Sequence, residues 1–143
     1  MSFSASTEAL SLASKKAYKM AGIKNPRKEI DLAEIADEYS YQELLWTEGL
    51  GLCDEGKGGE LIESGSTEID GKLPVNTAGG LLSGLPSGVA GMAQTAEAFL
   101  QLQGNAGARQ VNGAQIALVQ GTTGPCGQSH CVIILNRRKG EIL

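Results

Sequence analysis

The 143-residue sequence is poor in aromatic residues, in clustered basic residues and in long hydrophobic runs. Aromatic side chains make up only 4% of the chain, so we expect a core of aliphatic residues. Lys and Arg number 12 against 16 Asp and Glu, which argues against a general nucleic-acid-binding protein. Because no apolar run approaches the roughly 20 residues that span a bilayer, and the N-terminus carries no export signal, we expect a cytoplasmic protein without a membrane partner.

Cysteine is also scarce, with three residues that cannot form a paired disulfide framework. The segment "CGQSHC" offers Cys126, His130 and Cys131 as metal ligands, but zinc takes four protein ligands, or three and a water, and no second cluster follows. We therefore expect no metal and no cofactor here. His130 is expected to have a structural role, and Cys131 to be a small buried hydrophobic residue.

Hydrophobic periodicity predicts the order helix, strand, helix, loop, strand, helix, strand, strand, which is an α/β arrangement in a single domain 1–143 with a flexible tail at about 137–143. Ser6 caps the first helix, Gly22 ends it, and "NPRKE" is a turn. A strand is expected within 29–36, a polar loop at 53–72, a short strand at 73–76 and buried strands at 114–120 and 131–136.

The other two helices carry recognisable signals. Ser40 and Glu43 fit a capping box at the start of the second helix. The third helix ends at Gly104, and its apolar positions predict one buried face, formed by Val89, Met92, Ala93, Ala96 and Leu100.

The glycine-rich stretch "NTAGGLLSGLPSGVAGMAQ" links the short strand to the third helix. Small residues there would let a substrate or a neighbouring backbone approach the start of a helix. Either a thioester-facing loop or a close-packed loop at a subunit contact explains the stretch.

The helix "AYKMAGI", the strand and loop "LPVNTAGGLLS" and the paired final strands resemble the C-terminal domain of thiolases of the lipid-transfer (sterol carrier protein) type. The resemblance covers roughly residues 8–136. It implies a thiolase-type C-terminal half, with a mixed sheet and helices on both faces, that lacks its first strand. It also implies that the half bearing the reactive cysteine comes from another polypeptide or from a longer precursor.

The resemblance also locates departures from the family pattern. Leu85 stands where the family's "GGLLSKGHP" loop has a histidine, and leucine cannot move a proton. The family's HDCF motif corresponds to "ADEY", so Ala36 replaces a second histidine and only Asp37 is kept. Val119 or Gln120 lies nearest to a cysteine that many thiolases carry. The implied catalytic contribution of this chain is therefore none.

The candidate substrate-binding residues come from the strand end and the glycine loop: Asp37, Glu38, Asn76, Ser83, Leu85 and Ser87. A desolvated Asp37 or Glu38 could act as a base, although adjacent carboxylates on a strand normally point apart. Asn76 matches a family asparagine, and its structural alternative is to bond the turn. Ser87 is more typical of a helix cap than of a nucleophile.

These observations predict a subunit of a thiolase-superfamily complex that forms or cleaves a carbon–carbon bond in acyl-CoA thioesters. This chain would complete the fold and pocket of a cysteine-bearing partner, and by resemblance a zinc-ribbon and OB-fold protein could join them. Two alternatives stay open. The first is a CoA-ester lyase or hydrolase that uses Asp37 or Glu38, and the second is a scaffold or acyl-binding module without turnover.

Overall fold

The computed structural model describes residues 7–84, 88–124 and 127–137. The helices are α1 (Glu8–Ala21), α2 (Pro26–Glu29), α3 (Ser40–Gly49), α4 (Gly58–Glu63) and α5 (Ala90–Gln103), and the strands are β1 (Leu32–Ile35), β2 (Ile116–Thr123) and β3 (Ser129–Asn136). The sheet has the order β1-β2-β3, with β1 parallel to β2 and β2 antiparallel to β3. This mixed sheet confirms the predicted α/β class.

Helices cover both faces of the sheet, as expected. Because strand side chains alternate, Ala33 and Leu118 join an apolar cluster with Leu10 of α1 and Trp46 of α3. On the other face, a smaller cluster joins the sheet to α5, and its members are Leu32, Ala98, Leu102, Ala114, Ala117 and Val119. Helix α5 therefore covers one face of the sheet, and α1 and α3 cover the other.

Helix α1 ends as predicted at Gly22, whose φ of 75° is the left-handed conformation that glycine adopts without strain. The buried residues of this helix are Leu10, Ser14 and Tyr18, four positions apart, and the Tyr18 hydroxyl donates to the Leu50 carbonyl at 2.7 Å. Ser6, the predicted cap, lies outside the described residues, as does the predicted tail from residue 138 onward.

Four local predictions are wrong. "NPRKE" contains the short helix α2, and the predicted polar loop contains α4. The segment "LPVN" makes a single parallel bridge, from Val75 to Ala33, in place of a strand. The capping box begins one residue earlier than expected, because Tyr39 is extended and its amide donates to Gln42 Oε1 at 3.1 Å.

The two long strands differ in burial, although their sequences are similarly apolar. Strand β2 lies between two neighbours and is buried over 117–120. Strand β3, predicted to be covered on both faces, has only β2 beside it in the described part of the chain, and its residues alternate between exposed and half-buried. A cavity of about 320 Å³ lies between α1 and β3, lined by Ala17, Met20, Ala21, Val132, Ile133 and Ile134.

Candidate functional site

Two side chains fasten the glycine loop to the end of β1. Asn76 adopts a left-handed φ of 53°, which asparagine tolerates, and its Oδ1 accepts the Ile35 amide at 2.7 Å. Asp37 is buried, and its Oδ1 accepts the Leu81 amide at 2.5 Å. A Cβ at Gly80 would lie 2.3 Å from Asp37 Oδ2, so only glycine fits between this carboxylate and the loop.

The loop, the ends of β1 and β2, and the start of α5 enclose two adjoining cavities of about 490 and 320 Å³. They share the lining residues Glu38, Ala90, Gly91, Thr122 and Thr123. The larger cavity also meets Tyr39 and Tyr41, whose exposed rings stack at 5.8 Å between centroids. Carboxyl ends of strands are where α/β folds place ligands, so these cavities form the candidate site.

Ala36 lines the smaller of the two cavities, so the position that corresponds to a family histidine presents only a methyl group. His130 and Cys131 line the same cavity, and Cys131 is exposed, which corrects the expectation that it is buried. Gln120 links the two sides, because its Oε1 accepts the Ala36 amide at 2.9 Å and its Nε2 lies 3.0 Å from His130 Nδ1. Burial lowers the pKa of His130, which favours the neutral imidazole.

Behind the loop lies a buried polar network that spans β1, the loop and α5. Glu34 is 1% exposed, and its Oε1 accepts both the amide and the hydroxyl of Thr77 at 2.9 Å. Burial raises the pKa of Glu34 to about 7, against the hydrogen bonds from Thr77, which lower it. Burial alone would raise the pKa of Glu97. Hydrogen bonds from Arg109 and Gln101 have the larger combined effect, so the pKa of Glu97 lies below its usual value.

A third cavity of about 130 Å³ lies against this network, lined by Glu34, Ala78, Gly80, Leu81, Gly84, Ala93, Gln94 and Glu97. Gln94 lines this cavity and also the 320 Å³ cavity that His130 and Cys131 line. Among the described residues that line the three cavities, Glu34, Glu38 and Glu97 are acidic and none is Lys or Arg. The described walls therefore offer no cation to a phosphate group.

The sequence-predicted site residues divide into four groups. Glu38 is exposed and lines two cavities. Asp37 and Asn76 instead accept backbone amides and so fasten the loop to the end of β1. The Ser83 hydroxyl donates to the Gly80 carbonyl at 2.9 Å, within the loop. Leu85 and Ser87 lie outside the described residues, so their assignment as substrate-binding residues stays a prediction. The adjacent carboxylates Asp37 and Glu38 differ in environment, since Asp37 is buried and Glu38 is exposed.

The sequence analysis missed the polar residues of α5. Gln94, Glu97 and Gln101 follow one another at intervals of three and four, which places them on one helix face. That spacing, together with Glu34 inside the otherwise apolar strand β1, is the feature of the sequence that could have indicated a buried polar network.

Cys126, the first residue of the possible metal motif, also lies outside the described residues. Within the ranges that the structure describes, no three His, Cys, Asp or Glu side chains come together as a metal site would require. In the same ranges no helix combines the length and the apolar character needed to cross a membrane.

A sequence model of the family described as "Thiolase C-terminal domain-like" matches residues 2–137. Sterol carrier protein 2 of Oryctolagus cuniculus is 47% identical over 107 residues, which are 74% of this chain and 19% of that protein. An acetyl-CoA acetyltransferase of Methanothermobacter thermautotrophicus is 45% identical over 116 residues, 80% of this chain and 30% of that protein. The chain thus spans less than a third of the length of these relatives.

The fold is also similar to that of a solved structure, the Ltp2-ChsH2(DUF35) aldolase. The two superpose with a TM-score of 0.77 at 30% sequence identity, over 91% of this chain and 32% of that chain.

Proposed function

This chain belongs to the thiolase C-terminal domain-like family, and from that membership we propose that it is a subunit of a thiolase-superfamily complex that acts on acyl-CoA thioesters. A cysteine-bearing thiolase-like partner supplies the nucleophile. This chain completes the partner's fold and contributes the glycine-loop wall of the pocket, without a catalytic group of its own. The complex forms or cleaves a carbon–carbon bond beside the thioester.

The observation that carries the proposal is the orientation of α5. This helix buries Gln94, Glu97 and Gln101 and exposes Met92 (74%) and Phe99 (54%). A helix that faces water on one side normally shows the reverse pattern. The exposed apolar face therefore fits a surface that another polypeptide covers.

The edge of the sheet supports the same proposal. Strand β3 is eight residues long and presents one unpaired edge in the described part of the chain, beside the 320 Å³ groove against α1. An apolar edge of this length is a template for pairing with a further strand. Since the chain spans 19% of one relative and 32% of the aldolase chain, the remainder of the fold is the natural occupant.

The chemistry follows from what the cavity walls hold. Ala36 has no group that can move a proton, and the Asp37 carboxylate already accepts the Leu81 amide. Because the positions that correspond to family catalytic groups no longer carry them, we place the nucleophile and the base on the partner, although Glu38, His130 and Cys131 also line these cavities. Two of the relatives are named as an acetyl-CoA acetyltransferase and an aldolase, and these names support a step that forms or cleaves a carbon–carbon bond. A zinc-ribbon and OB-fold protein would be a third member of the complex.

The test is to purify the chain from its host under gentle lysis and to identify its companions by native mass spectrometry. We expect a stoichiometric cysteine-bearing thiolase-like partner, and acyl-CoA turnover by the complex but not by this chain alone. Phe99→Ser should weaken the association, while Leu12→Ser, at an exposed position of α1, should not. A folded chain that travels alone would contradict the proposal.

The lyase or hydrolase alternative has its own signature. Turnover by the isolated chain that is lost in Glu38→Gln would support that alternative, since Glu38 is the exposed carboxylate at the two cavities. If the partner is fully active without this chain, the scaffold alternative is favoured.

A further inference from the structure

Gln120 connects the end of β1 to His130, the single histidine of the sequence. Its side chain is completely buried, and its Oε1 accepts the Ala36 amide at 2.9 Å. The same amide also donates to the Gln120 main-chain carbonyl at 3.1 Å. Because a backbone amide can only donate, the oxygen of the Gln120 side chain must face Ala36, and its nitrogen must therefore face His130.

This orientation decides which nitrogen of His130 carries the proton. The Gln120 Nε2 lies 3.0 Å from His130 Nδ1. Since a carboxamide nitrogen can only donate, Nδ1 has to accept, and it can do so only in a neutral ring that holds its proton on Nε2. The described residues form no metal site that would impose another arrangement.

The Nε2 side of the ring is closed. This atom is buried and makes no hydrogen bond within the described part of the chain. The ring packs against Trp46, with the two centroids 4.9 Å apart and the two planes at 76°. In such a T-shaped contact the edge of one ring interacts weakly with the face of the other. His130 therefore lines the cavity without offering Nε2 to a ligand, which fits a structural role and not a catalytic one.

The neighbours of His130 bring few charges to it. Strand β2 places the uncharged Thr122 opposite the histidine, and α5 lines the same cavity with uncharged residues. Among the described residues, Glu38 and Cys131 are the titratable ones that share this cavity with His130. Burial is the larger influence on the pKa of His130 and lowers it, whereas a hydrogen bond with the Gly127 backbone acts to raise it. The neutral ring is thus the favoured state at neutral pH.

We propose that the Gln120–His130 pair is a pH-sensitive switch in the wall of the candidate site. While the ring is neutral, Nδ1 accepts from Gln120, and the Gln120 oxygen stays on the Ala36 amide. When acid protonates the ring, Nδ1–H and the Gln120 Nε2–H become two donors that face each other, so one of the side chains must turn away. Ala36 lines the cavity, and the end of β1 at the site therefore responds to the charge of His130.

The experiment measures the pKa of His130 directly, by hydrogen–deuterium exchange at the C2 carbon of the imidazole. Mass spectrometry of the peptide that contains His130 gives the exchange rate at each pH, and one histidine in the chain makes the assignment unambiguous. The wild type is compared with Gln120→Met, which keeps the length of the side chain but removes the donor. Gln115→Met, at an exposed glutamine just before β2, is the matched control.

We expect the wild-type pKa of His130 to lie below its ordinary value of 6.5. Gln120→Met should raise the proton affinity of the ring by about threefold to tenfold, because the hydrogen bond that favours the neutral ring is lost. Gln115→Met should leave the pKa where the wild type has it. A pKa that is the same in the wild type and Gln120→Met, or a wild-type pKa of 6.5 or more, would overturn the inference.

A second variant keeps the test decisive if Gln120→Met does not fold. His130→Asn places an oxygen where Nδ1 lies, so Gln120 keeps an acceptor that acid does not protonate. A histidine whose pKa is lowered in the folded protein costs stability as pH falls below 6.5. The wild-type Tm should therefore fall further than that of His130→Asn between neutral pH and about pH 5. Equal falls would contradict the inference.

The inference is independent of the proposed function. Each variant is measured in the form in which it purifies from its host, whether alone or with companions. A chain that purifies alone contradicts the proposed function, and the pKa of His130 in that chain still decides whether the switch exists.

Discussion

Helices α1 and α5 have the same length, 14 residues, and each ends at a left-handed glycine, yet they face the sheet with opposite chemistry. Helix α1 contributes Leu10 and the ring of Tyr18 to the larger apolar cluster. Helix α5 buries Gln94, Glu97 and Gln101 and leaves Met92 and Phe99 exposed. Helix α1 stabilises the fold mainly by apolar packing, whereas α5 combines the apolar contacts of Ala98 and Leu102 with a buried polar network.

The difference between the buried faces of α1 and α5 indicates where the candidate site lies. On the α1 face, local pattern, packing and burial all agree, which is the condition for a sequence to specify its fold. On the α5 face they disagree, and the disagreement coincides with the glycine loop, the cavities and the Gln94 amide, which makes no hydrogen bond to the described residues. Substitutions on the two faces should therefore differ in the size and the physical origin of their effects.

On the α1 face, removing one apolar side chain should have the largest effect. Leu10 is completely buried, and Gly49 packs so closely on it that a Cβ at Gly49 would lie 2.9 Å from Leu10 Cδ2. Leu10→Ala should lower the free energy of unfolding by about 3 kcal/mol, because the site cannot collapse to fill the space. Urea denaturation measures the change. Leu12→Ala, at a 64% exposed position of the same helix, should change it by less than about 0.5 kcal/mol.

On the α5 face, disrupting the polar network should have a smaller effect of a different origin. Gln101→Leu keeps the side-chain volume. It leaves the Val111 amide and the Arg109 carbonyl, which bond to Gln101 in the wild type, without their hydrogen-bond partner. We expect a loss of about 2 kcal/mol in the free energy of unfolding. Gln103→Leu, which changes an exposed glutamine of the same helix, is the control in the same urea titration. A loss no larger than that of the control would mean that the network does not stabilise α5.

The third prediction concerns Glu34 and is dependent on pH. Burial raises its pKa to about 7 in the folded protein, from an ordinary value of 4.5. The stability that this protonation contributes is fully present below pH 4.5 and is lost as pH rises through 7. Glu34→Gln stays neutral and keeps an oxygen for Thr77. Its free energy of unfolding should therefore exceed that of the wild type by about 1–2 kcal/mol at pH 8 and by much less at pH 5.

Urea midpoints of both proteins at the two pH values provide the measurement. Glu38→Gln, which alters an exposed carboxylate, should show no comparable difference between the two pH values. If Glu34→Gln raises the free energy of unfolding equally at both pH values, burial of the Glu34 charge is not the cause of the increase.

Much of the fold could be predicted because its signals are local. Gly22 and Gly104 mark the ends of α1 and α5, and the apolar run at β2 marks a buried strand. Helix α4 could not be predicted, because it begins with two glycines in a polar segment. It forms through tertiary contacts, since Gly58 donates to Glu48 Oε1 at 2.9 Å and a Cβ at Gly58 would meet the Leu44 carbonyl oxygen at 2.6 Å.

The candidate site was harder to predict than the fold. Helical spacing shows that α5 has two faces, but it does not say which of them meets the sheet. The prediction that Met92 and Val89 lie in a buried face is therefore wrong for the described chain, since both are exposed. Resemblance pointed to Asp37 and Asn76 as substrate-binding residues, which stays a prediction, and their bonds to Leu81 and Ile35 became visible only in three dimensions.

The open edge of β3 bears on how a cell must produce this chain. Within the described part of the chain, β3 leaves one edge of eight residues unpaired, and such an edge can pair with a strand of another copy, so surplus chains are exposed to self-association. Balanced synthesis, with the sheet-completing polypeptide made at the same time and in equal amount, would remove that hazard. We therefore expect a chain made alone to aggregate or to be cleared by proteases, and its yield to follow that of its companion.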